Sequence, residues 1–360
     1  VPGKLIHNHV IVEDQKEASQ IHNRGYYGEP QRGGSLKLDL IEAAFLLESG
    51  KISIKKKAKD MSLEMLINYA TAIDNSFEIK HLVYRDLRQR GYVVKSSEQP
   101  IDFYVFQRGD IPSKAEPKYI VSAISERAKY SIRNLSNLLD TSSKEKKELL
   151  LAIVDEEGDL TYYSANYMPM DKGACGCKKT NEEPIGITGS SAVFLHDRVL
   201  IWDCAVAKKL HEQESYGKPI GEGLQLSLIE TMYLMKDPGK KLNVTDVNTG
   251  EKISASSFKS KARKIQSDFD ICIAAYEDLR QRGFLPKTGF KYGTHFRVYD
   301  GDLNEQHARY LVHAIPENFE CTWPEISRAV RLAHSVRKQM IFARIGKNKI
   351  RYVQISRVRP

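Results

Sequence analysis

The 360-residue chain is 41% hydrophobic and 28% charged, which supplies enough apolar residues for sizeable cores and excludes a disordered polymer. No apolar run approaches the roughly eighteen residues of a membrane-spanning helix, and five cysteines are too few and too odd in number for a disulfide framework. The net charge of +9 suits a polyanionic partner, because lysine and arginine displace condensed counterions from phosphates.

In chain order, the opening VPGKLIHNHVIVED lacks the basic, apolar and small-residue succession of a signal peptide, so a cytoplasmic location is expected. YYGEP (26–30) and SLKLDLIEAAFLLESGKISI (35–54) follow, then a stretch near 50–60 where Lys, Gly, Asp and Ser cluster. RDLRQRGYVVK (85–95), DFYVFQRGD (102–110), KYIVSAI (118–124) and KKELLLAIVD (146–155) complete a first series of blocks. Residues 168–190, MPMDKGACGCKKTNEEPIGITGS, have no apolar periodicity and are read as a linker. Its Cys175-Gly-Cys177 offers two thiols where zinc wants about four ligands, so no metal and no cofactor is expected.

The series then recurs: SYGKP (215–219), GLQLSLIETMYLMKDPGKKLNV (223–244), EDLRQRGFLPK (277–287), RYLVHAI (309–315). The blocks keep their order at offsets of 188 to 192 residues, which marks a tandem duplication. Each repeat divides again, at 50–60 and at 240–255. The expected fold is a mixed α/β one, each repeat a small N-terminal α/β domain and a C-terminal nuclease-like α/β domain with a central mixed sheet. The expected boundaries are 1–55, 60–167, linker 168–190, 191–245 and 255–360. In the last of these, DICIAAYEDLRQRG is a helix with apolar residues 271, 275, 276 and 279, stopped by Gly283. HFRVYDG and RYLVHAI alternate as two hairpin strands. TWPEISRAVRLAHSVRK opens with Thr322 and Glu325 in capping-box spacing, and QMIFARI and RYVQISRV are two further strands.

The copies differ where chemistry would sit. In the second, Tyr299 ends one hairpin strand, His307 precedes the next, and Lys338 lies where the capped helix gives way to a strand. In the first, Phe106 replaces the tyrosine and Glu116 stands at the histidine, while Lys147 matches Lys338. Each of these residue types alone is commonly structural, and His295, His313 and His334 compete with His307. It is their joint retention in one copy that points to catalysis. Arg328, Arg331, Ser335 and Lys338 share one helix face, opposite Ile326, Ala329, Val330, Ala333 and Val336. Such a basic ridge is commonly only a solvated face, but guanidinium groups also stack on flipped bases and bind phosphate.

The GYYGEP…LDLIEAAFLLESGK start, DLRQRG, KYGTHFRVY, RYLVHAIPE…TWPEISRAVRLAHSVRKQM and the closing RYVQISRV resemble the archaeal tRNA-splicing endonucleases, in their tandem-repeat form. That resemblance implies a homodimer and a metal-independent ribonuclease with a Tyr–His–Lys triad. It implies cleavage of precursor tRNA at a bulge-helix-bulge, leaving a 2′,3′-cyclic phosphate and a 5′-hydroxyl. Tyr299 would take the 2′-proton, His307 would protonate the leaving oxygen and Lys338 would stabilise the phosphorane. Imidazole suits proton delivery near neutrality, whereas a phenol with a reference pKa of ~10 needs a cation nearby to act as base. The resemblance further implies two base-clamping arginines: Arg331, and either Arg351 or Arg357 in the terminal strand. It implies an acidic docking loop, here QRGDIPSKAE with Asp110. The Tyr-to-His loop, DGDLNEQ, is shorter than in many members of that family.

Two readings of other classes are set against this one. A non-catalytic RNA-binding scaffold would not need Tyr299, His307 and Lys338 together. A restriction-type metal nuclease would need clustered carboxylates with a nearby lysine, and the second repeat shows no such D…(D/E)-x-K set.

Overall fold

A computed structural model describes residues 1–57, 59–171, 189–301 and 307–360. Cys175, Cys177 and most of the 168–190 segment lie outside the described residues. The chain forms two compact units, one of residues 1–166 with 320–327 and 356–360, the other of residues 167–319 and 328–355.

The first unit begins with β1 (Pro2–Ile6), β2 (His9–Val12), α1 (Gln15–Gly25), β3 (Glu29–Pro30), β4 (Leu36–Asp39) and α2 (Leu40–Glu48). β5 (Ser53–Lys56), β6 (Lys59–Met61) and α3 (Leu63–Thr71) follow. The six strands pair in the order β3-β4-β2-β1-β5-β6, with only β1 and β5 parallel. The lysine-rich 50–60 stretch is therefore a hairpin of this sheet: Ile52 and Ile54 are buried while its lysines point outward. α4 (Phe77–Gln89), β7 (Val93–Ser96), β8 (Phe103–Phe106) and β9 (Tyr119–Ser125) come next. β10 (Tyr130–Ser131), α5 (Ile132–Glu145), β11 (Glu148–Val154) and β12 (Leu160–Tyr167) complete the repeat, its strands ordered β12-β11-β9-β8-β7. α5 is the crossover between the parallel strands β9 and β11.

The second repeat has the same plan. β13 (Ser191–Phe194), β14 (Val199–Ile201), α6 (Cys204–Glu214), β15 (Lys218–Ile220), β16 (Gly223–Leu226) and α7 (Leu228–Lys236) lead to β17 (Asn243–Asp246), β18 (Lys252–Ile253) and α8 (Ala255–Ile265). Here too the 240–255 stretch supplies two strands, in the order β15-β16-β14-β13-β17-β18. α9 (Phe269–Gln281), β19 (Leu285–Thr288), β20 (Phe296–Tyr299) and β21 (Tyr310–Pro316) follow. Last come β22 (Glu320–Cys321), α10 (Trp323–Ser335), β23 (Gln339–Ile345) and β24 (Ile350–Val358), with strands ordered β19-β20-β21-β23-β24. Both central sheets are mixed, as the alternation of strand and helix signals predicts. On α9, Ala275, Tyr276 and Leu279 of the expected stripe are buried, whereas Ile271 is only half-buried and Phe269, Cys272 and Ile273 complete the buried face. Among the described residues, no helix is long and apolar enough to cross a membrane.

The repeated hexapeptide DLRQRG ties the parts of each repeat together. Asp278 accepts the Tyr352 hydroxyl at 2.6 Å and the Arg282 guanidinium at 2.6 Å. Asp86 does the same with Tyr162 and Arg90, at 2.6 and 2.7 Å. The other arginine reaches the N-terminal domain: Arg88 donates to the Gly25 carbonyl at the end of α1 and lies 3.9 Å over Tyr27. Arg280 donates to the Glu214 carbonyl at the end of α6 and lies 4.5 Å over Tyr216. Cations at helix C-termini and over aromatic faces are both favourable.

A buried carboxylate makes a second tie. Glu42 and Glu230 close capping boxes on α2 and α7 and accept the Gly28 and Gly217 N–H, each at 3.0 Å. Both glycines need positive φ, +66° and +59°, and a Cβ there would strike the Lys37 or Gln225 carbonyl at 2.6 or 2.5 Å. Lys95 meets Glu42 at 3.4 Å and Lys287 meets Glu230 at 3.0 Å. The helix cap separates the copies. Burial, and then the Asp39 carboxylate, push Glu42 from 4.5 up to about 7. Glu230 is also pushed up by burial, but Lys287 and the Ser227 and Gly217 N–H groups outweigh that and hold it below its ordinary value.

An acid whose folded pKa is raised binds protons more tightly when folded, so its contribution to stability falls as pH rises from 4.5 to about 7. Asp39→Ser installs the cap residue of the second repeat and keeps a good N-cap. It is expected to reduce that loss by on the order of 1 kcal/mol. Thermal unfolding at pH ~5 and ~8 reads the effect, and an unchanged difference between the two would exclude Asp39 as a cause.

Candidate active site

β20 pairs with β19 through Leu285 opposite Tyr299, and with β21 through Val298 opposite Tyr310. β21 and β23 run parallel from a level start, Tyr310 beside Gln339. The residues just before these two strands therefore arrive at the edge where β20 ends. The Arg309 N–H donates to the Val298 carbonyl at 3.1 Å, and the Gln339 N–H to the Arg309 carbonyl at 3.0 Å, which extends the ladder to the site. After α10 the chain reverses through Arg337, held at φ 56°, and the Lys338 N–H returns to the Ala333 carbonyl at 2.8 Å. That left-handed turn aims Lys338 back at the sheet edge.

His307 and Lys338 line one open cavity of about 800 Å³, with Asp300, Ala308, Arg309, Val336 and Arg337. Tyr299 does not line it. Its ring is buried against Leu285 and Ala308 and borders a second cavity of about 850 Å³. The three predicted residues meet at Ala308. Its side chain packs with Tyr299, its carbonyl accepts the Lys338 ammonium at 2.8 Å, and it follows His307 in the chain. The Arg297 guanidinium lies 5.8 Å over the Tyr299 ring. Arg297, Asp300 and Arg309 were not singled out from sequence; their signal was adjacency in the chain to Tyr299 and His307. Asp300 and Arg309 form an ion pair at 3.6 Å on the cavity wall.

The first repeat has the same backbone with different chemistry. Phe106 ends β8 opposite Val93, buried as Tyr299 is. Lys146 takes φ 56°, and the Lys147 N–H returns to the Ser142 carbonyl at 3.0 Å. The Lys147 ammonium is then met by Glu116 at 3.7 Å and Glu145 at 3.5 Å. Where the second copy sets an imidazole beside an ammonium, the first sets carboxylates that neutralise it.

The competing histidines have other partners. The Ala314 N–H donates to His295 Nδ1 at 2.9 Å, so Nε2 carries the proton and donates to Asp268 at 2.8 Å. Asp268, Cys272 and His295 are close enough to hold a metal ion, but Nε2 could ligate only by moving its proton onto a nitrogen that faces an N–H donor. The trio does not fit a metal. His313 stacks on His295 at 4.2 Å, and burial, then His295, lower it to about 4. His334 is exposed on α10.

Arg328 and Arg331 are exposed on α10, with Ile326, Val330 and Ala333 buried beneath. Arg351 lies opposite Arg344, four residues along β23–β24 from the Met340–Ile355 end, and donates to the Tyr167 hydroxyl at 3.0 Å. Arg357 is exposed, beyond Ile355 in the same strand. Asp110 accepts the Gln107 N–H at 3.1 Å and closes its own turn.

Family models match both repeats. The tRNA intron endonuclease N-terminal domain covers residues 1–67 and 190–259, and the catalytic C-terminal domain of the same family covers 77–162 and 269–352. The chain is similar to a tRNA-splicing endonuclease of Methanococcoides burtonii, 38% identical over 99% of each chain. It is also similar to one of Methanosarcina mazei, 36% identical over 97% of this chain and 96% of the other. One of Haloferax volcanii is 30% identical over 95% of each.

Proposed function

We propose, from the premise that this chain belongs to the tRNA intron endonuclease family, that its second repeat cuts precursor tRNA by general acid–base catalysis without a metal. Family membership makes the chain a tRNA-intron endonuclease. Tyr299 takes the proton of a ribose 2′-hydroxyl, which attacks the adjacent phosphorus. His307 gives a proton to the departing 5′-oxygen. Lys338 stabilises the charge on the phosphorane. The products are a 2′,3′-cyclic phosphate and a 5′-hydroxyl, and the substrate is a bulge-helix-bulge. What carries this reading is the meeting of Tyr299, His307 and Lys338 at Ala308, in the one repeat that has all three.

Arg331, with Arg328 beside it, and Arg357 or Arg351 from the terminal strand supply cations for the bulge. Arg351 is the weaker choice, since its guanidinium is engaged by Tyr167. Removing an intron takes two cuts and each chain has one intact triad, so a homodimer supplies the pair, with the Asp110 loop as a docking contact.

The test is cleavage of a synthetic bulge-helix-bulge RNA by the purified chain in EDTA, followed by end-group analysis. Undiminished cutting with cyclic phosphate ends is expected. Dependence on added Mg²⁺, or 5′-phosphate ends, would overturn the mechanism, and binding without cutting would make the chain a scaffold.

A further inference from the structure

Phe290 is 87% exposed, more than any other large apolar side chain among the described residues. A phenyl ring left in water forgoes the free energy of burial, so its presentation on an ordered turn calls for a partner. The turn is ordered. Residues Phe290–Tyr292 form a single 3-10 turn in which the Tyr292 N–H donates to the Gly289 carbonyl at 2.8 Å. The Gly289 N–H in turn donates to the His295 carbonyl at 3.0 Å. Gly289 has no room for a side chain, since a Cβ would lie 2.4 Å from the Thr294 hydroxyl. Phe290 is thus presented outward from a hydrogen-bonded turn.

Its surroundings name the partner. Phe290 and Tyr299 border the same 850 Å³ cavity, along with Arg297 and Lys218. Two residues on, the Tyr292 ring lies 5.9 Å from the Lys338 ammonium. Lys218 and Lys291 are exposed and have no carboxylate partner among the described residues. An exposed aromatic among unpaired cations, beside a site that cuts a phosphodiester, has the chemistry of a single-stranded nucleic-acid track. The first repeat bears this out by contrast. The same β7–β8 link, residues 97–102, is SEQPID, with no aromatic and no cation, in the copy that lacks the phenol and imidazole.

We infer that Phe290 is a stacking platform for an unpaired base of the RNA, and that the groove from Phe290 to Tyr299 carries the strand next to the scissile phosphate. The inference rests on the proposed function and adds a subsite to it.

The test uses the full chain and a bulge-helix-bulge RNA with 2-aminopurine at each bulge position in turn, 2′-O-methylated at the cleavage sites so that binding is read without chemistry. Stacking on Phe290 should quench one of these positions. Phe290→Ala and Phe290→Leu should lose that quench and raise KM for the unmodified RNA about tenfold, while Phe290→Trp keeps both near wild type. Leucine preserves apolar surface without a π-face, so its failure separates stacking from simple packing. Unchanged KM and quench in Phe290→Ala, rescue by leucine, or a loss of dimer by sedimentation that tracks the KM change would each overturn the platform. If the wild-type chain cuts the RNA and Phe290→Ala behaves identically, the platform alone fails. If the wild-type chain binds with a Phe290-dependent quench but never cuts, the catalytic reading alone fails.

Discussion

His307→Ala is expected to slow single-turnover cleavage by on the order of 10²-fold or more while leaving RNA affinity within about twofold. The reasoning is local. A departing 5′-alkoxide is a poor leaving group unless a proton reaches it in the transition state, and the His307 imidazole lines the cavity that Lys338 shares. Lys338→Ala should cost a similar factor, through loss of charge stabilisation at the phosphorane. Because the Lys338 ammonium also holds the Ala308 carbonyl at 2.8 Å, the alanine variant mixes catalysis with positioning. Lys338→Gln keeps a donor for that carbonyl and removes the charge, so an equally slow glutamine variant assigns the loss to electrostatics. Glu116→Ala is the control in the other repeat, where Lys147 still has Glu145 at 3.5 Å. Its rate should stay within about twofold of wild type, since the cost of losing one exposed ion-pair partner is small. Loss of cleavage in Glu116→Ala, with dimerisation intact, would reverse the assignment of active and inactive repeats.

What was legible in the sequence follows from what sequence patterns encode. Strand alternation in HFRVYDG and RYLVHAI gives β20 and β21 directly, and the capping signal before α10 is real: Glu325 accepts the Thr322 N–H at 2.8 Å. Tyr299, His307 and Lys338 stood out because the duplication supplies an internal comparison, not because periodicity marks catalytic residues. The meaning of DLRQRG stayed hidden. Its Asp and Arg side chains act through Tyr352, Tyr162, Tyr27 and Tyr216, partners up to 76 residues away that no local pattern identifies. The Phe290 turn was equally invisible, since a single 3-10 turn between strands has no period to detect. The 50–60 and 240–255 stretches misled in a related way: their lysines and turn residues look like links, yet alternate with buried Ile and Val of edge hairpins.

Lys287→Met should be among the most destabilising single substitutions in the second repeat, at about 3–5 kcal/mol near pH ~8. It leaves the Glu230 carboxylate buried without the cation that does most to hold its pKa down. The matching change in the first repeat, Lys95→Met, should cost distinctly less near neutrality. Glu42 already titrates at about 7, so it can shed its unpaired charge by taking up a proton at little expense. Lowering the pH should then rescue Lys287→Met, because protonating Glu230 removes the buried charge, and Glu230→Gln combined with Lys287→Met should recover part of the loss even at high pH. Urea unfolding of the two lysine variants between pH ~5 and ~8 decides the matter, and equal losses at every pH would contradict it. The consequence reaches the active site. Lys287 sits in β19, whose Leu285 pairs with Tyr299 and whose end carries the Phe290 turn. Loosening the Glu230 tie should therefore weaken cleavage before the repeat unfolds, as a rise in KM together with a fall in kcat, whereas the first-repeat variant has no such route to the chemistry.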